Sequence, residues 1–500
     1  MTRSPDLIRP NLTERAELPS RTASTAPNGL SSSMRAELER LVEVVADLQA
    51  SSHADSTIER YARQWNRFVG WCAAHGLSAT LPVPVEVVML YAADWTTRVP
   101  PPAHSTIVQA LAAIDWVHTS HRLAPPRSAE LVKMRRGVRN RLGVAPQRKA
   151  APLLLEQLAP LGRHLLSPTI AQLRDASVIG LRSLGLSYGE ITGLDTDDCV
   201  TRADDEFELR VAGRILRIPL EPESTSVGAA LAQWLERRGE DGGPLICRLT
   251  SRQSVIATPI PVQSVRSIIL KWATRASLEL SHGTLLTTQE AQELLGHVMA
   301  PTPSSVRNMA CIWLLWAGAL RSDELVHVRL RHLVFEARGL TLTIPRSKTD
   351  QAGQGLVAFV PRGEHRETDV VGAVERWIDV LRAAGATDDH YLLCPIDRHE
   401  SLCLFEEDSS GHKIPVRAVN GQAVTRMLRE ALRETAIEGI NPAAFSSHSG
   451  KRGIATQLAM SKADISEIAK VTRHKSLQTV KGYVDEEARK TTSALLGLDL

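Results

Sequence analysis

Residues near the C-terminus combine the side-chain types needed for attack on a phosphodiester. His448, Lys451 and Arg452 lie in the text HSGKR, and His474 is followed nine positions later by Tyr483. Tyrosine is a poor nucleophile near neutral pH because its reference pKa is about 10. It becomes effective once its proton is removed and fixed positive groups hold the phosphate under attack. We therefore interpret this segment as a site where Tyr483 attacks a phosphate ester.

A second group of charged residues lies upstream, in the text WAGALRSDELVHVRL. We predict a buried helix that carries Arg321, with Glu324 three positions later. Arginine can clamp two non-bridging phosphate oxygens with its planar fork. An ion pair with Glu324 is the other interpretation of Arg321, and both hold if the acid orients the clamp. The text IPRSKTDQAGQG then places Lys348 in a connection between two predicted strands.

Short helices and one β-hairpin must position these groups. Three short predicted helices carry His448 with Lys451, then the segment SKADISEIAKVTRH, then Tyr483. The alternating strands GLTLTIP and GLVAFVP flank Lys348, and LTTQEAQELLGHV predicts a threonine-capped helix. The predicted fold class for the chain is mainly α with small antiparallel β-sheets, an α+β arrangement.

Taken in order, these motifs resemble those of the tyrosine recombinases, also called phage-type integrases. That family has a first arginine with an acid three residues later, a hairpin lysine, His-x-x-Arg, then His or Trp, and a tyrosine nine residues on. The resemblance covers roughly residues 52–490. The positions that match the family's catalytic set are Arg321, Lys348, His448, Lys451, His474 and Tyr483.

The resemblance implies a role for each matched residue. Tyr483 would form a 3′-phosphotyrosyl link, and Lys348 would protonate the leaving 5′ oxygen. His448 would donate to a phosphate oxygen or take the tyrosine proton, while His474 would contact the phosphate from the other side. Because the link keeps the bond energy, neither a cofactor nor a metal is expected.

Position 451 departs from the family, which has arginine three residues after the histidine. Lysine keeps the charge but loses the planar fork. Arg452 is a neighbour on the same helix and could replace it. Three interpretations stay open: Lys451 serves at a reduced rate, Arg452 substitutes, or activity is lost. We favour the first two jointly, because retention of the other catalytic positions would be odd in a relic.

The N-terminal part of the chain is expected to bind DNA. We predict a disordered N-terminus and short helix over 1–50, and a helical domain over 51–149. The resemblance to the family implies that this helical domain is its core-binding, SAM-like domain. A lone charge run is as often a solvated helix face, but clustered cations attract phosphate backbones. The predicted DNA-binding cations are Lys133, Arg135, Arg136, Arg139 and Arg141.

An internal repeat is predicted after residue 150. The text LRDASVIGLRSLGLSYGEITGLDTDDC resembles VRNMACIWLLWAGALRSDELVHVRLRHL, and Trp234 pairs with Trp377. Glu190 then matches Glu324, but Ser187 occupies the position of Arg321. We therefore predict a degenerate, non-catalytic copy over 150–285 and the active domain with a docking tail over 286–500. Chance resemblance of two α/β segments is the alternative.

Composition excludes several other classes. Six cysteines are scattered without a metal-binding or CxxC spacing, so a reduced, cytoplasmic protein is expected. The N-terminus lacks an apolar signal segment, and no apolar run is long enough to span a membrane. The net charge is only +3, so the chain as a whole is not a polycation.

The predicted function is site-specific recombination of double-stranded DNA by a homotetramer, with other recombinase subunits as further partners. Integration or excision of a mobile element at the nucleoid is the expected setting. A catalytically impaired DNA-binding or assembly partner of another recombinase is the alternative. A third interpretation is an enzyme that relaxes DNA alone, as type IB topoisomerases do.

Overall fold

The computed structural model describes residues 37, 40, 41, 55–143, 149–201, 206–220, 225–239, 242–250, 253–281, 284–345, 347, 355–474 and 476–483. The predicted disordered N-terminus, Lys348 and the predicted docking tail lie outside these residues. The chain divides into two units, Met1–Lys149 and Ala150–Leu500. None of the described helices combines the length and apolar character that a bilayer crossing needs.

The first unit contains four described helices longer than three turns. These are α1 (Asp55–Ala74), α2 (Val85–Thr97), α3 (His104–Ser120) and α4 (Ala129–Leu142). The aromatic side of α1 packs inward, where Phe68 is fully buried against Tyr91 at a ring-centroid distance of 5.0 Å. Ser128 caps α4 by accepting the backbone N–H of Leu131. The predicted helical character of this segment is confirmed.

The first segment of the second unit alternates helices with small antiparallel sheets. Its elements are α5 (Leu155–Leu166), α6 (Ile170–Ser183), α7 (Tyr188–Gly193), a 3₁₀ turn (Thr196–Asp198), β1 (Cys199–Thr201), β2 (Glu206–Val211), β3 (Arg214–Pro219), α8 (Val227–Arg238), β4 (Cys247–Leu249), β5 (Val255–Pro259), α9 (Val262–Arg275) and α10 (Thr288–Met299). Strands β1, β2 and β3 form one antiparallel sheet, and β4 pairs with β5.

The second segment begins at residue 303. Its elements are α11 (Pro303–Ala317), α12 (Ser322–Leu325), a 3₁₀ turn (Leu330–His332), β6 (Leu333–Glu336), β7 (Gly339–Ile344), β8 (Leu356–Pro361), α13 (Val370–Ala383), β9 (Phe405–Glu407), β10 (Lys413–Pro415), α14 (Gly421–Thr435), a 3₁₀ turn (Pro442–Ala444), α15 (His448–Met460) and α16 (Ile465–Thr472). Residues 477–483 are also helical. Strands β6, β7 and β8 form an antiparallel sheet, and β7 and β8 are the two strands that the alternation around Lys348 predicts.

Helices and strands follow one another in the same order from α6 to α9 and from α11 to α14. A buried tryptophan occupies the same place in both series. Trp234 of α8 donates its indole N–H to the carbonyl of Leu245 at 2.8 Å, and Trp377 of α13 donates to the carbonyl of Leu392 at 2.6 Å. The same hydrogen bond therefore closes the same loop in both segments.

The two hydrophobic cores of the second unit cannot be separated by a single cut in the chain. One core is built from buried residues within 173–299, including those of α10. The other joins residues within 306–445 to those within 153–165, which lie on or just before α5. Helix α5 packs beside α11 and α14, whereas α10 packs beside α6. The packing therefore departs from the predicted division between residues 285 and 286.

Candidate active site

Arg321 begins a short helix instead of lying within a long one. Helix α11 ends at Ala317, and Ala319 then adopts a left-handed φ of 45°. The backbone N–H of Arg321 donates to Oε2 of Glu324 at 2.9 Å, where the four-residue α12 begins. The predicted continuous helix through Arg321 is therefore wrong, because a carboxylate three residues ahead caps a new helix there.

The Arg321 side chain is held by the same carboxylate. Its Nη1 atom lies 2.6 Å from Oε1 of Glu324, and the hydroxyl of Ser347 donates to that oxygen at 2.8 Å. Burial would raise the pKa of Glu324, but the Arg321 N–H, the Ser347 hydroxyl and the guanidinium outweigh it and lower the pKa. Glu324 therefore remains ionised and fixes the direction of Arg321.

Helix α15 brings His448 and Lys451 into the neighbourhood of Arg321. A glycine permits this approach, because a Cβ at Gly450 would meet the carbonyl oxygen of Leu315 at 2.7 Å. His448 is exposed at the first position of the helix. Although the residue is exposed at the surface, protein atoms packed around its imidazole, and then the charges of Arg321 and Lys451, lower the pKa of His448. The imidazole is therefore mostly neutral at pH 7.

Lys451 is a buried cation. It is 6% exposed, and its Nζ atom has no hydrogen-bond partner within the part of the chain that the structure describes. Burial, followed by the positive charges of Arg321 and Arg473, lowers the pKa of Lys451 to about 8, while Glu324 opposes this shift. A buried ammonium without a partner is unfavourable. This arrangement therefore favours an anion beside Nζ.

His474 lies just after α16, and Thr472 orients its imidazole. The Thr472 hydroxyl is fully buried and donates to the carbonyl of Ile468 at 2.5 Å. Its oxygen also lies 2.6 Å from Nδ1 of His474. Burial, then the charges of Lys451, Arg321 and Arg473, lowers the pKa of His474 to about 4. The imidazole is therefore neutral at pH 7.

Tyr483 lies at the end of the described chain, beside His474. The two ring centroids are 6.1 Å apart, and the tyrosine ring packs on a small apolar cluster built from α15, α16 and Val480. The guanidinium carbon of Arg452 lies 5.9 Å from the tyrosine ring centroid. Arg452 therefore faces the tyrosine, while Lys451, one residue earlier, points into the buried part of the site.

Arg473 and Thr472 belong to this site but are absent from the sequence-based prediction. The side chain of Arg473 is 12% exposed, and its Nη2 atom lies 3.7 Å from Oε2 of Glu324. A threonine and an arginine immediately before His474 were the available signals. Neither type is diagnostic alone, because the contacts depend on how α16 packs against the chain around Ala319.

Lys348 lies outside the described residues, so its predicted place in the site stays a prediction. Its neighbour Ser347 contacts Glu324, as described above. Across the described ranges, no group of three or more His, Cys, Asp or Glu side chains is placed to hold a metal ion.

The predicted DNA-binding cations lie in the first unit, on α4. Arg135 is half-buried and pairs with Asp115 at 3.6 Å, so it differs from the others. Leu131 and Val138 are buried on the opposite side of the same helix. The cations that are exposed to solvent are Lys133, Arg136, Arg139 and Arg141.

The first segment repeats the capping geometry of the site without its arginine. The backbone N–H of Ser187 donates to Oε2 of Glu190 at 2.7 Å, as Arg321 does to Glu324. The other oxygen of Glu190 pairs with Arg214, on strand β3, at 2.5 Å. Both short helices thus begin with a glutamate cap, but the cation that pairs with Glu190 comes from a different element.

Residues 284–490 match the model of the phage integrase family. Over these residues the chain is similar to that family, in agreement with the resemblance that the motifs predict. The chain is 30% identical over 183 residues to the integrase/recombinase XerD homolog of Selenomonas ruminantium. This similarity covers 37% of the chain and 48% of the relative, so the chain spans about half the length of that relative.

Two solved structures are also similar to parts of the chain. The XerA recombinase is 12% identical with a TM-score of 0.28, covering 91% of this chain and 99% of that one. The XerH site-specific recombinase bound to its difH substrate, in a pre-cleavage complex, is 12% identical with a TM-score of 0.27. The latter match covers 50% of this chain and 59% of the other.

Proposed function

We propose that this chain is a site-specific recombinase that cuts and rejoins double-stranded DNA through a 3′-phosphotyrosyl link to Tyr483. The observation that carries the proposal is the buried Nζ of Lys451, which lacks a hydrogen-bond partner in the described chain and lies beside the charges of Arg321 and Arg473. Buried cations that repel one another are stabilised by an anion between them. A phosphodiester supplies that anion.

Each side chain of the site has a separate task in this proposal. Arg321, oriented by Glu324, donates to the non-bridging oxygens, and Lys451 adds a point charge beside it. Neutral His448 donates its N–H to a phosphate oxygen. Neutral His474 accepts the proton of Tyr483 as the hydroxyl attacks phosphorus. This assignment differs from the predicted phosphate contact of His474. It rests on the contact between Nδ1 and the Thr472 hydroxyl, which leaves the other ring nitrogen as the proton acceptor.

Lys348 has the role of general acid in this proposal. The 5′ oxygen leaves as the phosphotyrosyl bond forms, and an ammonium at its side prevents the build-up of an alkoxide. This role rests on the match of the hairpin lysine to the family motif. Replacing Lys348 by alanine is expected to slow cleavage of a normal 5′ oxygen but not of a 5′ phosphorothiolate, whose sulfur leaves without protonation. Equal losses on both substrates would remove this role.

Helix α4 provides the sequence-independent part of DNA binding. Exposed arginines and lysines neutralise phosphates and release counterions, so affinity falls steeply with salt. Replacing Arg136 and Arg139 by glutamine should reduce the dependence of affinity on salt. An unchanged salt dependence would remove α4 from the DNA interface.

Several broader features complete the proposal. The protein acts as a homotetramer on two duplexes, alone or with other recombinase subunits, in integration or excision of a mobile element. The tail beyond residue 490 docks on a neighbouring subunit, so its deletion is expected to impair strand exchange but spare DNA binding.

Residues 150–285 serve as a non-catalytic copy. The common order of elements and the matched bonds of Trp234 and Trp377 support this last point.

A second function is favoured by one observation, the lysine at position 451. If that lysine cannot replace the family's arginine, the protein is a DNA-binding partner of another recombinase. Strand exchange separates the two functions. We would first select duplexes from a pool with randomised arms and one nick, recovering those that become covalently attached or are retained by the protein.

Two selected duplexes would then be incubated with wild-type protein, Tyr483→Phe and Lys451→Arg. Recombinant products from the wild type, with none from Tyr483→Phe, are the expected result. Retained DNA without product, and product only from Lys451→Arg, would establish the binding partner instead. Covalent attachment with relaxation of supercoiled DNA but no exchange would indicate a topoisomerase-like enzyme.

A further inference from the structure

Arg473 occupies an unusual position immediately before His474. Its backbone is left-handed, with a φ of 53°, which a non-glycine residue adopts at some cost. The turn directs the side chain inward, where it is 12% exposed. An arginine held in this way needs contacts that offset both the backbone conformation and the burial.

Those contacts connect Arg473 to the loop that carries Arg321. Its Nη2 atom donates to the carbonyl of Ala319 at 2.9 Å and lies 3.7 Å from Oε2 of Glu324. Glu324 therefore has a guanidinium on each of its two oxygens, since Arg321 occupies Oε1. The two arginines approach the same carboxylate from different elements, one from α12 and one from the turn after α16.

One hydrogen-bond donor of the Arg473 guanidinium, the Nε atom, makes no hydrogen bond to the residues that the structure describes. This atom is also buried. The Nζ atom of Lys451 is in the same condition. Two buried, unsatisfied donors with positive charge in one neighbourhood are costly unless a ligand accepts from both. A phosphate oxygen is an acceptor of the required charge.

Resting on the proposed function, we propose that Arg473 supplies the guanidinium donor at the scissile phosphate that position 451 lacks. Lys451 and Arg473 then share the task that a single arginine performs elsewhere in the family. Lys451 contributes a point charge, and Arg473 contributes the directed N–H bond. Arg452 is not needed for this task, because its guanidinium faces the ring of Tyr483.

The charges of the site support this assignment. The positive charge of Arg473 contributes to lowering the pKa of both Lys451 and His474, so the three groups share one electrostatic environment. A phosphate placed among them would stabilise the charged form of Lys451. The same phosphate would lie beside the imidazole that receives the tyrosine proton.

The test compares Arg473→Gly with the double variant Lys451→Arg/Arg473→Gly. Glycine tolerates the left-handed backbone, so the first variant is expected to fold. Lys462→Gly is the matched control, because Lys462 is exposed, has a φ of 59° and lies outside the site. Circular dichroism and retention of the selected duplex would check folding and binding in every variant.

The readout is the single-turnover rate of covalent attachment to a selected nicked duplex. A second duplex carries a methylphosphonate at the scissile position, where a methyl group replaces one charged oxygen. Arg473→Gly is expected to lose about 10²-fold on the normal phosphate, the effect of removing one preorganised donor. The loss should be much smaller on the methylphosphonate, because the lost donor no longer faces a full negative charge.

Introducing arginine at position 451 should recover most of the lost rate in the double variant, and Lys462→Gly should match the wild type. An unchanged rate in Arg473→Gly would overturn the inference while leaving the proposed function intact. Equal losses on both duplexes, without recovery in the double variant, would also overturn it by assigning Arg473 a structural role. No attachment by the wild type would remove the proposed function and this inference together.

Discussion

The Nδ1 atom of His474 lies 2.6 Å from the hydroxyl oxygen of Thr472. That hydroxyl has a single proton, which it donates to the carbonyl of Ile468 at 2.5 Å. It can therefore only accept from His474, so Nδ1 carries the proton of the neutral imidazole. The other nitrogen, Nε2, is left with a free electron pair. Thr472 thus sets His474 as a proton acceptor in the DNA-free protein.

Replacing Thr472 by valine is expected to slow attack by Tyr483 while preserving the shape of the side chain. The imidazole would then populate both tautomers, and only one can take the tyrosine proton. General-base catalysis contributes about 10²–10⁴-fold, and we expect the loss of part of that contribution, roughly tenfold. The rate of covalent attachment to a selected nicked duplex measures it.

Thr472→Ser is the matched control for this substitution, because it keeps the hydroxyl. It should attach to DNA at close to the wild-type rate. A slow serine variant beside a fast valine variant would show that packing, and not the tautomer of His474, governs the rate.

Binding of DNA should weaken as pH rises because Lys451 loses its charge. In the DNA-free protein the pKa of Lys451 is about 8, so its ammonium deprotonates as pH passes from about 7 to about 9.5. Arginine at this position would stay charged throughout. Fluorescence anisotropy with a selected duplex should therefore give a steeper pH dependence for the wild type than for Lys451→Arg. Parallel curves would contradict the low pKa of this lysine.

The same lysine should make folding stability depend on pH in the opposite sense. The folded-state pKa of about 8 lies below the usual 10.5 of lysine. The unfolded chain therefore binds more protons between these two values, and the DNA-free protein gains stability as pH rises through that window. Urea unfolding of the wild type and Lys451→Arg would measure this. The arginine variant should lack the gain, and a gain of equal size in both would assign it to another group.

Glu324→Gln should impair attachment to DNA much more than Glu190→Gln does. Both acids accept the backbone N–H three residues earlier, so the two substitutions remove comparable caps. Only Glu324 also holds Arg321 and lies beside Arg473. We expect the attachment rate to fall by about tenfold or more in Glu324→Gln, because misplacing a hydrogen-bond donor to the phosphate slows such reactions by a factor of this order. Similar rates for the two variants would mean that Glu324 serves the helix alone.

Gly453→Ala should destabilise the second unit because α15 and the chain before α5 touch at this glycine. A Cβ there would lie 1.8 Å from the carbonyl oxygen of Leu153. This oxygen belongs to the backbone, so it cannot turn aside as a flexible side chain can. Overpacking of this kind costs about 1–3 kcal/mol, measurable by urea unfolding. Gly296→Ala is the matched control: its Cβ would meet nothing within 4 Å, and alanine should stabilise helix α10 by up to about 1 kcal/mol. Equal stability of Gly453→Ala and the wild type would contradict the packing of Leu153 against α15.

Local patterns were sufficient to predict most elements of the fold. The alternation of β7 and β8 and the threonine cap of α10 each involve residues close together in the chain. Local patterns did not predict that α5 packs against α11 and α14 of the second segment, or that α10 packs against α6 of the first. Both helices bear one apolar stripe, and a stripe does not specify which of two similar cores it covers.

The candidate site was predictable where its residues belong to spaced motifs. Arg321, His448, Lys451 and His474 are brought into one electrostatic neighbourhood, because the charges of Arg321 and Lys451 act on both histidines. The contributions of Thr472 and Arg473 depend on contacts between distant elements, such as the bond from Arg473 to Ala319. Such contacts follow from tertiary packing, which residue spacing alone does not specify.

Covalent attachment of Tyr483 to DNA is the step on which the proposed function depends most directly. Wild-type protein and Tyr483→Phe would be incubated with a selected nicked duplex, digested with protease and nuclease, and analysed by mass spectrometry. We expect a peptide that carries a nucleotide on Tyr483 through its 3′ phosphate, present in the wild type and absent from Tyr483→Phe. A nucleotide on another residue, or an adduct that persists in Tyr483→Phe, would contradict it.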